Sequence, residues 1–537
     1  MCHRGSLNGR GPRNLRKRSS ISSGPLHGWR PDGPCRRTQP AAVMCSETCF
    51  PGEGGSLLLQ AWLFRTPGLW TQNAFSGAPS SVWEPTGLFS LSVPVRSRRG
   101  MDVAFMAKMS PECGNPLEEW TLRKTGSPCG PDSLAPFHLQ RLRAAIERAG
   151  RTSPFYRKLL ASFPPFFPRT LEEYGRLPFT CPGDIAEDPM EFLAVPQDTV
   201  ARIVTARTSG TSGNPKRVFF SGGDLSDTTD MFSEGMRNLA GDGSKVMIIL
   251  PGKRPGSVGD LLVQSLRAGS VPLLCPFSGE GPVLKKIDEE RPDCLVGPPS
   301  WVISLARHPL GKAGKCLSSV LLCSDFIPES LELGIKSSWG CSVYRHYGMT
   351  ETGYGGALSC SLGPGMHLME GSFYFEIVHP ETGDPVPEGG EGEIIVTPLL
   401  LEGTPLLRYR TGDRGMIIPG KCPCGSSLRR MKVRGRYSNG LDLPGGILPL
   451  ADLDETLFSL PWLGGYEVRR EHDSFALTVK GYPLPGERAD VYTLRNETER
   501  KLAFLPQLNG SLPEITILLH PDGEQLILPA KRIVYSS

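Results

Sequence analysis

From about residue 115 the chain settles into runs of apolar and polar positions whose spacing predicts regular elements. In "LAPFHLQRLRAAIERAGRTSPFYRKLL" the apolar residues Phe137, Leu139, Leu142 and Ile146 fall at helical spacing, and a Ser-Pro pair restarts the pattern, so two successive helices are predicted. "SKVMIILP" (244–251) and "SVPLLCP" (270–276) are short apolar runs separated by the helical "DLLVQSLRAG". Strand–helix–strand implies a parallel pair, and the cycle recurs in "PDCLVGPPSWVISLAR" and "SSVLLCSD". From "SFYFEIVHPETGDPVPEGGEGEIIVTPL" onward helices drop out and Gly/Pro/Asp turns join strands, which predicts a meander or small barrel. Beyond about residue 436, "YEVRRE", "SFALTVKG", "ADVYTLRNETERKLAFL" and "PEITILLHP" read as β-β-α-β, enough for a small separate domain. The expected fold class is α/β: a large domain over 113–436 with parallel sheets and a β-meander or barrel, then a small mobile α+β domain over 437–537.

The first 112 residues follow no such period. They are rich in Gly, Pro, Ser and Arg ("GRGPRNLRKRSSISSGP") and carry 14 basic against 6 acidic side chains, which leaves 45 basic and 49 acidic on the rest of a chain of net charge +4. The basicity belongs to this extension, read as disordered, and the remainder gives no reason to expect nucleic acid. A basic arm that touches anions and translation that starts later, at Met101, Met106 or Met109, are both open readings. No apolar stretch after the first arginines resembles a signal peptide, and the best candidate for a membrane span, "SLLLQAWLF" (56–64), is too short and ends at Arg65. The 15 cysteines are odd in number and scattered, unlike a disulfide framework, so reduced thiols and a cytoplasmic location are expected. An oligomer is neither required nor excluded.

Three segments carry candidate chemistry. "RTSGTSGNPKR" places Gly210 and Gly213 among Thr208, Ser209, Thr211 and Ser212, and ends on Lys216. Glycines allow close backbone approach, amides and hydroxyls can face phosphate oxygens, and the lysine adds a point charge. The spacing is not that of a Walker loop, and a mobile linker would have similar composition. "YRHYGMTETGYGG" sets Glu351 between Thr350 and Thr352 after a strand-like run, a place for a carboxylate that meets a nucleotide's magnesium ion, or for a surface glutamate in a turn. "LLRYRTGDRG" puts Asp413 after a tight Thr-Gly turn, where it can accept both ribose hydroxyls or end a charged hairpin.

In order and spacing the three together resemble the adenylate-forming superfamily of acyl-CoA synthetases, peptide-synthetase adenylation domains and luciferases. "HPETGDPVPEGGEGEIIVTPLLLEGTPLLRYRTGDRG", "CPCG" and "RRMKVRGR" are most similar to the phenylacetate–CoA ligase branch. The resemblance covers roughly residues 115–537. It implies that the loop from Thr208 to Lys216 grips the β- and γ-phosphates of ATP, that Glu351 reaches Mg2+ and that Thr350 reaches the α-phosphate. It further implies that Asp413 holds the ribose, that Arg436 touches ribose or phosphate, and that Ser324, Asp325, Phe326, His346 and Tyr347 line the adenine slot. The carboxylate substrate would lie beneath Tyr347 and Gly348. The implied activity is an ATP-dependent acid–CoA ligase working through an acyl-adenylate, on an aryl acid such as phenylacetate, with coenzyme A as acceptor.

"KCPCG" supplies Cys422 and Cys424, and "LSCSLGPGMH" supplies Cys360 and His367. Two thiolates cannot complete a tetrahedral ion, but the four residues make a Cys3His set. Members of the branch bind zinc this way, so the resemblance implies a closed, structural Zn2+ site that pins the meander to the Glu351 loop. Four reduced side chains with no metal are the alternative.

The chain departs from the family twice. The hinge position after "VRGR", usually acidic, is Ser438. The small-domain lysine that the family places over the site falls on Pro529, counting back from Arg532, and Lys531 in "LILPAKRIVYSS" is the nearest substitute as catalytic lysine. Two further functions therefore stay open: an adenylyltransferase acting on a cofactor, and a nucleotide-binding protein with impaired catalysis.

Overall fold

The computed structural model describes residues 115–162, 167–206, 215–471, 474–482, 490–519 and 534–536. The extension 1–112, residues 208–213 of the phosphate-loop segment and Lys531 lie outside the described residues. Helix α1 (Pro116–Thr125) starts at Asn115, whose side chain accepts a hydrogen bond from the Leu117 amide. Helices α2 (Pro131–Thr152) and α3 (Pro154–Ala161) are the two that the periodicity predicts. The break between them is Ser153, which ends one helix and caps the next by accepting from the Tyr156 amide. Two short helices, α4 (Leu171–Tyr174) and α5 (Pro182–Glu187), lead to the hairpin strands β1 (Val200–Ala206) and β2 (Lys216–Ser221). A capping box between Ser221 and Asp224 then opens α6 (Gly222–Arg237).

The strand–helix alternation follows: β3 (Lys245–Ile248), α7 (Val258–Leu266), β4 (Val271–Leu274), α8 (Glu280–Glu290), β5 (Cys294–Gly297), α9 (Pro299–Arg307), β6 (Ser319–Leu322), α10 (Glu329–Trp339) and β7 (Ser342–Gly348). The strands pair in parallel. Successive side chains point to opposite faces of the sheet. Val246, Ile248 and Val296 accordingly join a core with α6 and α7, while Met247, Ile249 and Leu295 join a second core with α8, α9 and α10. Burial on both faces explains why these strands are continuous apolar runs rather than alternating ones.

Strand β7 changes partner along its length. Ser342 to Arg345 pair in parallel with β6, whereas His346, Tyr347 and Gly348 pair antiparallel with β8 (Gly356–Leu358). The antiparallel run continues through β9 (Met366–Leu368), β10 (Phe373–Val378), β11 (Gly392–Pro398), β12 (Tyr409–Ile418) and β13 (Arg430–Arg436). Parallel and antiparallel strands form one sheet in the order β10-β11-β12-β13-β9-β8-β7-β6-β5-β3-β4, so of the two expected forms the meander is present and it extends the parallel sheet. The change of direction at β7 leaves a crevice beside the carboxyl ends of the parallel strands, where open α/β sheets place their ligands.

The C-terminal segment begins with the hairpin β14 (Gly440–Leu443) and β15 (Gly446–Pro449) and with helix α11 (Leu450–Phe458). The predicted β-β-α-β follows as β16 (Leu463–Glu471), β17 (Ser474–Gly481), α12 (Val491–Leu502) and β18 (Glu514–Leu519), and β19 (Val534–Ser536) pairs alongside β16. Apolar residues of α11, β16 and β17 join the core that α8, α9 and α10 build. No helix among the described residues is long and apolar enough to cross a membrane.

Candidate active site

Three separated segments meet beside the end of β7. Lys216 is the first residue of β2, Glu351 lies in the single turn Thr350–Thr352 that follows β7, and Tyr409 opens β12. Lys216 and Glu351 form an ion pair with both side chains buried. The Tyr409 hydroxyl accepts from Lys216 Nζ at 3.1 Å and donates to Glu351 Oε1 at 3.2 Å. Burial alone would raise the Glu351 carboxyl, but the Lys216 charge and hydrogen bond override it and hold the group below its ordinary range.

The same strand delivers the second carboxylate. Tyr409, Thr411 and Asp413 are the buried, alternate positions of β12 and share one face. Asp413 stands opposite Arg436 of β13, and Arg436 Nε donates to its Oδ1 at 2.6 Å. Tyr347 Oη donates to Oδ2 at 2.8 Å, and the Thr411 hydroxyl accepts the Asp413 amide at 3.0 Å. Asp413 holds the Arg436 guanidinium above its ordinary value, and the charge of Glu351 acts in the same direction. Four residues of strand separate Tyr409 from Asp413 by about 13 Å, roughly the reach from a nucleotide's ribose to its outer phosphates.

His346 and Tyr347, taken from the sequence as one pair, are divided by the strand period. Tyr347 turns to Asp413, while His346 and Gly348 line an apolar cavity with Ser324, Met231, Met236, Leu262 and Met369. Burial lowers the His346 imidazole to about 4, so it faces this cavity uncharged. A Cβ on Gly348 would stand 2.4 Å from the Tyr354 carbonyl oxygen and 2.8 Å from His346 Cε1, so no side chain fits there. The Asp325 carboxylate accepts the Phe326 amide at 2.8 Å in the turn after β6. Ser324, Tyr354 and Arg408 hold φ of 77°, 66° and 47°, three of the five non-glycine residues with positive φ among those described. Such strain gathers where surrounding contacts over-determine a backbone, as at ligand sites.

Thr208, Ser209, Gly210, Thr211, Ser212 and Gly213 fall outside the described residues, but the strand ends that bracket them, Ala206 and Lys216, pair with one another. Lys531 is likewise outside. Tyr409 was missed in the sequence, although a period of two counted back from Asp413 lands on it. The neighbouring arginines are structural: Arg408 pairs with Glu376, and Arg410 with Glu393.

A second cluster lies at the far edge of β9 and β13. Cys360 follows β8, His367 sits on β9 beside Arg430 of β13, and Cys422 and Cys424 occupy the turn before β13. One donor atom from each of the four lies within 4.8 Å of the others. Cys360 Sγ is 3.5 Å from Cys422 Sγ, and Cys424 Sγ is 3.4 Å from His367 Nε2. A tetrahedron with arms of roughly 2.3 Å has edges of about 3.8 Å, so a donor set gathered within 4.8 Å fits a zinc ion after small shifts. Gly363 packs against Cys422 so closely that a Cβ would lie 2.5 Å from its sulfur.

Comparison with known proteins bears on the chain as a whole. The family described as AMP-binding enzyme matches residues 185–398. A phenylacetate-coenzyme A ligase of Aromatoleum evansii is 28% identical over 370 residues, 65% of this chain and 81% of that protein. The phenylacetate-coenzyme A ligase of Thermus thermophilus is 29% identical over 351 residues, 62% of this chain and 76% of its own length, and that of Escherichia coli is 28% identical over 368 residues, 65% and 82%. Among solved structures, 2-hydroxyisobutyryl-CoA ligase in its postadenylation state superposes with a TM-score of 0.63 at 19% identity, over 74% of this chain and 88% of that one.

Proposed function

Because the chain belongs to the adenylate-forming superfamily, on its phenylacetate–CoA ligase branch, we propose that it is an ATP-dependent acid–CoA ligase that works through an acyl-adenylate on an aryl acid. In the first step a carboxylate oxygen of the acid bonds to the α-phosphorus of ATP, and the bond from that phosphorus to the bridging oxygen breaks to release pyrophosphate. In the second, the thiolate of coenzyme A bonds to the acyl carbon and AMP leaves with the oxygen. Both steps ask the protein to position reactants and neutralise spreading negative charge.

The observation that carries this reading is the network Lys216–Glu351–Tyr409 at the start of β12 and Asp413–Arg436–Tyr347 midway along it. Lys216 exchanges Glu351 for the outer phosphates, with the loop 208–213 supplying amides and hydroxyls. Glu351 would hold magnesium, which supplies further neutralisation of the triphosphate, and Thr350 lies beside it for the α-phosphate. Asp413 accepts the ribose hydroxyls, and Arg436 stays on its other oxygen. Ser324, Asp325 and Phe326 border the adenine. The cavity beyond Gly348 takes the acid's tail, since its lining is apolar and carries no charged side chain. Cys360, His367, Cys422 and Cys424 would hold zinc with all four positions filled by protein, which makes it a structural ion.

The segment 437–537 acts as a lid that turns near Ser438 between the half-reactions. Lys531 takes the place of the missing family lysine, and Lys531→Ala slows adenylation by about 10²–10³. The test is a panel of acids scored for AMP formation with and without coenzyme A, alongside acid-dependent pyrophosphate exchange. Exchange with CoA-dependent AMP release supports the ligase. Exchange without any response to CoA points to an adenylyltransferase with another acceptor. No exchange with any acid overturns the reading.

A further inference from the structure

We propose that Tyr409 is a positioning residue for the triphosphate end of the nucleotide: its hydroxyl keeps Lys216 in place when Glu351 gives the lysine up to bind a cation. This inference rests on the proposed ATP site and deepens it.

The phenol is almost wholly enclosed, at 1% exposure, yet its oxygen is the one neutral group that contacts both members of the pair among the described residues. The lone pair accepts from Lys216 Nζ and the proton goes to Glu351 Oε1. A carboxylate that turns to a divalent cation no longer satisfies the ammonium. The tyrosine oxygen can still accept from it, so the lysine is held rather than released into the cleft. The ring face adds to the hold, with Lys216 Nζ 5.8 Å from its centroid.

The surrounding structure fixes this hydroxyl tightly. Tyr409 is bridged in parallel to Thr180: the Thr180 amide donates to the Arg408 carbonyl at 3.2 Å and the Arg410 amide donates to the Thr180 carbonyl at 2.9 Å. The Thr180 hydroxyl donates to the Leu407 carbonyl at 2.7 Å and bonds Tyr156 Oη, which itself accepts the Leu407 amide at 2.8 Å. Arg408 holds its left-handed φ of 47° while its guanidinium is tied to Glu376 and to the Gly175 and Leu177 carbonyls. Four residues, 407 to 410, are thus clamped on both sides of one side chain. A tyrosine that merely filled the core would not need its hydroxyl to lie between two charges, and phenylalanine would serve as well.

The test is Tyr409→Phe, with AMP and ATP affinities measured by calorimetry with and without magnesium, and thermal melting as a control. AMP lacks the two phosphates that Lys216 meets. Loss of a hydrogen bond to charged groups weakens binding by about tenfold or more, so ATP affinity is expected to fall by that factor while AMP affinity stays within twofold. The magnesium concentration that gives half-maximal ATP binding rises in parallel. Equal loss for AMP and ATP, or no loss for either, overturns the proposal, the first showing a structural role and the second none. Wild-type protein that binds neither nucleotide overturns the parent reading instead.

Discussion

Lys480 of β17 and Glu280 at the start of α8, 200 residues apart, form a buried ion pair with 2.5 Å between Nζ and Oε1. The Ser304 hydroxyl donates to the same oxygen at 2.5 Å and Tyr482 Oη donates to it at 3.1 Å. Close by, Arg307 donates to the carbonyls of Phe458, Leu460 and Leu463. Helices α8 and α9 thereby hold the C-terminal segment by polar contacts as well as by a shared apolar core. Removing one partner of such a pair leaves the other charge buried and costs about 3–5 kcal/mol, whereas replacing both with apolar residues is near neutral. Lys480→Met and Glu280→Leu are each expected to lower the melting temperature sharply and the double variant to recover most of it, as measured by thermal unfolding. Singles that melt like the wild type would show the pair to be idle.

The same pair sets a pH dependence. Burial pushes the Glu280 carboxyl up, but hydrogen bonds from Lys480 and Ser304 override it and hold it below the ordinary carboxylate value. A depressed native pKa means that the pair's contribution is fully present above the unfolded value of about 4.3 and is lost as pH falls through the lower native value. Unfolding free energy should therefore drop below about pH 4.3, and the drop should be shallower in the apolar double variant.

Metal content is a separate prediction. A zinc ion held by the donor atoms gathered after β8, on β9 and on the turn before β13 would tie two strands that otherwise share a short ladder, Arg430 with His367 and Met431 with Met366. About one zinc per chain is expected by elemental analysis, lost in the Cys422→Ser, Cys424→Ser double variant together with a lower melting temperature. Native protein prepared without chelator and free of zinc would remove the assignment.

How much of this was legible in the sequence differs between elements. The parallel strands were, because burial on both faces writes them as unbroken apolar runs such as 246–250. The break at Ser153 was, because a Ser-Pro pair both caps and restarts a helix. Asp413 and Glu351 were singled out through their glycine-rich turns. Helix α11 and the β14–β15 hairpin were not, since each is short and its apolar positions are satisfied by a distant core. Tyr409 and Lys480 were missed for a related reason. Their importance lies in partners 58 to 200 residues away, and no local period reports such a partner.

Gly348 offers a steric test of the crevice. It ends the antiparallel stretch of β7, paired with Gly356, and an added methyl would press on the Tyr354 carbonyl and the His346 ring. Overpacking of this kind costs typically about 1–3 kcal/mol. Gly348→Ala is expected to lose most acid-dependent pyrophosphate exchange with a modest fall in stability. A variant with full exchange would place the acid elsewhere.

The cavity's chemistry sets the last prediction. Its lining is mostly hydrocarbon and thioether, with a neutral His346, Ser324, Cys323 and Tyr354 as the residues that carry polar groups and no cation to meet an anion. A second carboxylate on the acid's tail would be buried without a partner, at a cost of several kcal/mol, and a neutral tail of the same size would gain from burial. Monocarboxylic aryl acids are therefore expected to support AMP release at least about a thousandfold better, in kcat/KM, than the same acids carrying a ring carboxylate. A hydroxyl on the ring should fall between, because one unpaired hydroxyl costs less than one unpaired charge. Comparable rates with the dicarboxylate would mean that the tail lies outside this cavity, in contact with water.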